Sequence, residues 1–224
     1  DPATAGTVTG HVRLVGSPPM AQRVRMDGDR RCVIAAANGE RQTQSYVVGD
    51  GGGLANVFVY VKTGLEGRSF PAPSTPVVLD QQQCWYTPRV VGVQVGQPFE
   101  VHNSDPLLHN VRAAATVNEG FNQGQPIQGM KTTHVFTKKE VLVPFKCDVH
   151  GWMNAYVGVM DHPFFTVSDA DGKFEIKGLP AGTYTIEAIH ERLGAVTQSV
   201  TIAAKESKEL NFTMDVSKAA AATN

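Results

Sequence analysis

Apolar residues come in short runs, or alternate with polar ones, along most of this chain, and glycine or proline interrupts them at short intervals. "TVTGHVRLV" (7–15) and "NVFVYVK" (56–62) alternate or run apolar as strands do, and the proline-rich connector "TGLEGRSFPAPSTP" follows the second. Further β-rich runs are "VVLD", "RVVGVQVGQPFEVHN", "HNVRAAA", "THVF" and "VLVPFKC", and the last third adds "FFTVS", "KFEIKGL", "TYTIEAIH", "AVTQSVTI" and "KELNFTM". Many short strands separated by turn signals predict an all-β protein built from β-sandwiches. Helical periodicity is scarce; the one candidate helical turn lies in "DGDRRCVIAA". The tail 217–224 carries no core pattern and is expected to be flexible.

The 224 residues carry a formal net charge of −1 with no lysine- or arginine-rich run, so neither nucleic acid nor an anionic membrane surface is an expected partner. Apolar stretches stay well short of the roughly 18 residues that span a bilayer, so direct membrane insertion is not expected. The sequence opens "DPATAGTVTG" without methionine, which leads to the expectation of a removed leader and a periplasmic or extracellular location. Three cysteines bear on this point. Cys32 and Cys84 lie in polar, loop-like sequence, whereas Cys147 follows an apolar run. If Cys32 and Cys84 pair, Cys147 is the remaining thiol, and the bridge closes a loop worth about 4 kcal/mol by chain entropy. The alternative is three reduced cysteines in a reducing compartment. We expect the disulfide.

"SDADGKFEIKGLPAGTYTIEAIHE" (168–191) contains two turn signals, Asp171-Gly172 and Pro180 with Gly182. The stretch "DADGKFEIKGLPAGTYTIEA" resembles the carboxypeptidase regulatory-like family, which implies a transthyretin-like sandwich. "GTVTGHVRL" (6–14) and "LANVFVYVKTG" (54–64) resemble that family's opening strands but lie roughly a hundred residues upstream. The resemblance thus implies a discontinuous sandwich, 1–76 plus 161–216, with a second domain, 77–160, inserted into or packed on it. Such modules are commonly adhesive or structural, and no HxxE or HExxH peptidase motif occurs, so no enzyme is expected.

The inserted region holds the candidate chemistry. "PFKCDVHGWMNAY" places Cys147, His150 and Met153 three positions apart, and "SDPLLHNV" delivers His109 after an Asn-Ser-Asp-Pro bend. Either these are ordinary core residues or their side chains converge on a soft metal ion. Thiolate and thioether sulfur with imidazole nitrogen favour copper over magnesium, calcium or manganese. "CDVHGWM" resembles the amicyanin-type ligand loop of the cupredoxins, and "SDPLLHNV" resembles the first-histidine segment of plastocyanins. Carried over residue by residue, the resemblance implies one copper per chain held by His109, Cys147, His150 and Met153, with Asn110 tying the two ligand loops together. Gly151-Trp152 and the attached second sandwich depart from that pattern.

The resemblance implies single-electron transfer with a redox partner such as a c-type cytochrome or a respiratory or dehydrogenase complex. His150 is expected to be the exposed port, and Trp152, Pro144, Leu107 and Leu108 the docking patch. The rival readings are a copper carrier with a more open site, and a structural or accessory subunit whose cupredoxin part is a scaffold. His11, His102, His134 and His190 are expected to be packed or surface residues. His162 and Met130 are candidates to approach the site.

Overall fold

The structure, a computed structural model, describes residues 4–36 and 41–219, and it is nearly all β. The chain divides into two compact units, one of Asp1–Met20, Gln44–Ser69 and Pro163–Asn224, the other of Ala21–Thr43 and Phe70–His162.

The first unit has two four-stranded sheets. In one, Gly6–Val15 runs antiparallel to Lys173–Leu179 and parallel to Ser207–Glu209 and Phe212–Asp215. In the other, Phe58–Thr63 lies between Phe165–Val167 and Gly182–His190, and Gly194–Ile202 forms the edge. Alternation along Gly6–Val15 buries Val8 and Val12, while Phe58–Val61 is buried throughout. Both turn signals are realised. Gly172 has φ +79, and a Cβ there would lie 2.4 Å from the Val12 carbonyl oxygen, so the close approach of chains requires glycine. After the second turn the Tyr184 hydroxyl donates to the Pro180 carbonyl at 2.6 Å.

The second unit is also a two-sheet sandwich. Its five-stranded sheet runs Val90–Gln94, Asn154–Met160, Glu140–Lys146, His109–Ala113, Phe121–Gln125. The facing sheet runs Tyr86–Thr87, Val77–Gln81, Pro98–Asn103, Lys131–Val135. Phe99 of the second sheet meets Phe145 of the first edge-on at 5.5 Å, and Leu79, Val101, Val111, Val143 and Val157 fill the space around them.

Three features differ from the sequence-based expectation. Residues 21–43 belong to the second unit and not to the first. They leave and return through a paired neck, with Val24 N–H donating to Arg41 O at 2.7 Å and Thr43 N–H to Gln22 O at 2.9 Å, and a disulfide joins Cys32 to Cys84. The expected tail begins with structure, a 3-10 turn at Val216–Lys218 whose Ser217 N–H is capped by Asp215; residues 220–224 lie outside the described ones. Two strands were not anticipated. Phe121–Gln125 ("FNQGQ") has neither alternation nor an apolar run, and Asn154–Met160 is continuous with the ligand loop.

Glu140 shows how a buried charge is accommodated in the second unit. Its carboxylate accepts the backbone N–H groups of Thr116 at 2.6 Å and Asn118 at 2.8 Å, together with their side chains. Burial pushes the pKa up, but these hydrogen bonds outweigh burial and hold it at about 2, against an ordinary 4.5. A depressed carboxylate stabilises the fold fully above its unfolded pKa and progressively less as pH falls towards the folded value. Glu140→Gln is therefore expected to lose about 2 kcal/mol in denaturant unfolding at neutral pH. The difference from wild type should shrink between pH 4.5 and about 2.

Candidate metal centre

Strand pairing brings the separated segments together. Glu140–Lys146 pairs antiparallel with His109–Ala113, with Lys146 opposite Arg112, so the chain leaving one strand at Cys147 runs past the start of the other at His109. Lys146 also pairs with Asn154, which makes residues 147–153 a loop between adjacent strands. That loop closes on itself: Met153 N–H donates to His150 O at 2.9 Å and Cys147 N–H to Met153 O at 3.3 Å. The His109 side is set by Asn103, whose amide donates to Leu107 O at 3.0 Å and Gln125 O at 2.8 Å and whose carbonyl oxygen accepts Asp105 N–H at 3.0 Å.

His109, Cys147 and His150 converge, with one donor atom from each within 4.8 Å of the others, and all three are buried. The Nδ1 atoms of the two imidazoles are 3.1 Å apart, and His150 Nδ1 is 3.9 Å from Cys147 Sγ. Met153 is fully buried in the apolar cluster that contains Cys147. The Asn110 side-chain oxygen accepts Asp148 N–H at 2.8 Å, joining the segment that carries His109 to the loop that carries Cys147 and His150.

The outer nitrogen of each imidazole faces a carboxylate. His109 Nε2 is 2.8 Å from Asp105 Oδ2, and His150 Nε2 is 3.3 Å from Asp29 Oδ2. An ionised carboxylate only accepts, so each Nε2 carries a proton towards its carboxylate and each Nδ1 is the inward-facing atom beside the Cys147 sulfur. Two lone pairs at 3.1 Å beside a thiolate repel unless a cation, a proton or a metal ion, lies between them. The electrostatics of the unmetallated protein agree. Burial raises the Cys147 thiol, but His109, His150 and the backbone N–H groups of Asn110 and His150 outweigh it and bring the pKa to about 6. Burial lowers His109, but Asp105 and Cys147 more than compensate and raise it. The donor set thus fits a soft cation, with carboxylates orienting both imidazoles from behind.

Two expectations about access are corrected. His150 is 2% exposed and is no open port, because Asp29 and Cys32 Sγ (3.4 Å from Nε2) cover it. Leu107 is buried in the core, so of the expected docking residues only Leu108 is well exposed, with Trp152 and Pro144 intermediate. Among the described residues, no cluster of three potential His, Cys, Asp or Glu ligands includes His162. Asp105 and Asp29 were missed in the sequence. Asp105 is four residues before His109 in "DPLLH", which is a usable signal, whereas nothing local relates Asp29 to a histidine 121 positions away.

Residues 153–215 match the family model of the carboxypeptidase regulatory-like domain. No curated protein matches the chain. Among solved structures, the chain is similar to an oxidised proline-to-glycine variant of amicyanin, at 19% identity over 45% of this chain and 97% of that one, TM-score 0.34. It is similar to a purple cupredoxin from Nitrosopumilus maritimus, at 22% identity over 38% and 97%, TM-score 0.32. It is also similar to a copper-containing nitrite reductase from Thermus scotoductus SA-01, at 20% identity and TM-score 0.37, over 43% of this chain and only 25% of that one.

The Asn110 tie yields a test that needs no metal. Asn110→Ala should leave the sheet intact, cost about 1 kcal/mol, and speed exchange of the Asp148 amide measured by hydrogen–deuterium exchange. An unchanged exchange rate would show that the ligand loop does not depend on the tie.

Proposed function

We propose that this chain holds one copper ion at His109, Cys147, His150 and Met153 and exchanges single electrons with a redox partner. The observation that carries the reading is the inward-facing set of two imidazole lone pairs and a thiolate, with both outer imidazole nitrogens already turned to carboxylates. A bound copper ion supplies a reversible one-electron couple at this position.

The protein residues do the rest. Cys147 is held near the thiolate form by the imidazoles and the surrounding backbone N–H groups. The closed loop 147–153 and the strand bearing His109 hold the donors in one arrangement, so that little moves when charge changes. Burial of His109, Met153 and His150 excludes water and favours a resident ion over rapid exchange, which weighs against a copper carrier. The partner would be a c-type cytochrome or a respiratory or dehydrogenase complex, and the role is electron transport without catalysis of its own. The Cys32–Cys84 disulfide supports an oxidising compartment, periplasmic or extracellular. Among the described residues, no helix is long and apolar enough to cross a membrane.

Titration of the purified protein with Cu(II) should develop an intense thiolate-to-copper absorption band that saturates at one copper per chain. Cys147→Ser should lose the band while far-ultraviolet circular dichroism stays unchanged. A wild-type protein that stays colourless and binds no copper would overturn the reading and leave the structural or accessory subunit in its place.

A further inference from the structure

Residues 21–36 reach the metal ligands through Asp29 and Cys32. The segment is closed at its neck by the pairing of Arg23 with Gln42 and by Gln22 N–H donating to Thr43 Oγ1 at 3.0 Å. At its far end is the short helix Arg30–Ala35, begun by Asp29, whose carboxylate accepts Arg31 N–H at 2.9 Å. Arg31 folds back, its Nε 3.2 Å from Asp29 Oδ1 and its Nη2 3.0 Å from Oδ2, so the carboxylate is held from the solvent side by a guanidinium fork. Its other side meets His150 Nε2 at 3.3 Å.

The disulfide lies between the two carboxylate–imidazole pairs. Cys32 is on the helix that Asp29 caps, and its sulfur is 3.4 Å from His150 Nε2. Cys84 N–H donates to Asp105 at 2.7 Å, and Asp105 in turn accepts from His109 Nε2. The Cys84 carbonyl accepts Trp152 Nε1–H at 3.0 Å, and the Trp152 ring lies 5.1 Å from that of His150. One covalent bond therefore registers both outer carboxylates against the two imidazoles.

We propose that residues 21–36 form a disulfide-fastened hood over the metal centre, in which Asp29 is a positioning residue that holds His150 by its outer nitrogen, and which closes the His150 side to small external ligands. The inference rests on the copper reading for its metal-loaded consequences alone. The hold on the imidazole is a property of the protein itself, because Asp29 fixes the proton on Nε2 and leaves Nδ1 free as the inward donor. Closure follows from the fastening: the hood cannot swing away while Cys32 is bonded to Cys84, so a small anion has no path to the ion from that side.

The test uses the full chain and two variants. Asp29→Ser keeps a helix-capping hydroxyl but is too short to hold His150; the Cys32→Ser/Cys84→Ser double variant keeps Asp29 and frees the hood. The first measurement is the nitrogen-15 chemical shifts of the His150 ring in metal-free protein, with His109 as internal control. Wild type should show a protonated Nε2 at both histidines, and Asp29→Ser should lose it at His150 alone. The second measurement adds azide to the copper-loaded proteins. The absorption band should be unmoved in wild type and should shift in the double-serine variant. An unchanged His150 tautomer in Asp29→Ser would overturn the positioning role, and a wild-type band that moves with azide would overturn the closure. If wild-type protein takes up no copper, the copper reading fails, and the ring nitrogen shifts still decide the role of Asp29.

Discussion

Two imidazole nitrogens at 3.1 Å and a cysteine sulfur beside them, all buried, form an arrangement that water cannot relieve. Each donor would be more stable facing solvent, so the rest of the second unit has to hold them inward. Adjacent antiparallel strands bring Cys147 and His109 to one end of a sheet. The Asn103 network and the Asn110 bridge fix the two loops. The carboxylates of Asp105 and Asp29 occupy the outer nitrogens and leave each imidazole with one remaining donor position. A cation in the middle relieves the repulsion between those donors, and a soft one suits a thiolate with two imidazoles.

The same requirement accounts for the disulfide and the hood. A centre with one imidazole facing solvent needs no cover, and the sequence-based expectation placed His150 there. Here the imidazole is covered by an element that brings a charged carboxylate with it. A carboxylate drawn partly out of water needs partners, and Asp29 has both a guanidinium fork and an imidazole N–H. Its pKa is accordingly held far below the ordinary carboxylate range, first by the Arg31 side chain and further by His150. The short helix that carries it has little stability of its own. The covalent link at Cys32 therefore keeps it in register with the sandwich.

The first unit meets a simpler demand, that of closing a core with short strands, and its chemistry was correspondingly easy to read. Gly172 and Pro180 mark turns whose backbone geometry is local, and the alternation that buries Val8 and Val12 follows from the two-residue period of a strand. Phe121–Gln125 escaped notice because its place in the sheet comes from pairing with His109–Ala113, since its residues show no alternation.

The sequence by itself determined the all-β class and most strands, and it supplied the Cys32–Cys84 pairing and, through the resemblance of two local segments to cupredoxin ligand loops, the candidate donors as expectations. Asp105 was within reach of the same reasoning, four residues from the histidine it holds. Only the tertiary structure decided that residues 21–43 join the second unit, that His150 is covered, and that Asp29 stands behind it. Those facts depend on contacts between residues 52 to 121 positions apart, which no local pattern encodes. They exist because the disulfide and the sheet register bring distant segments to a single point.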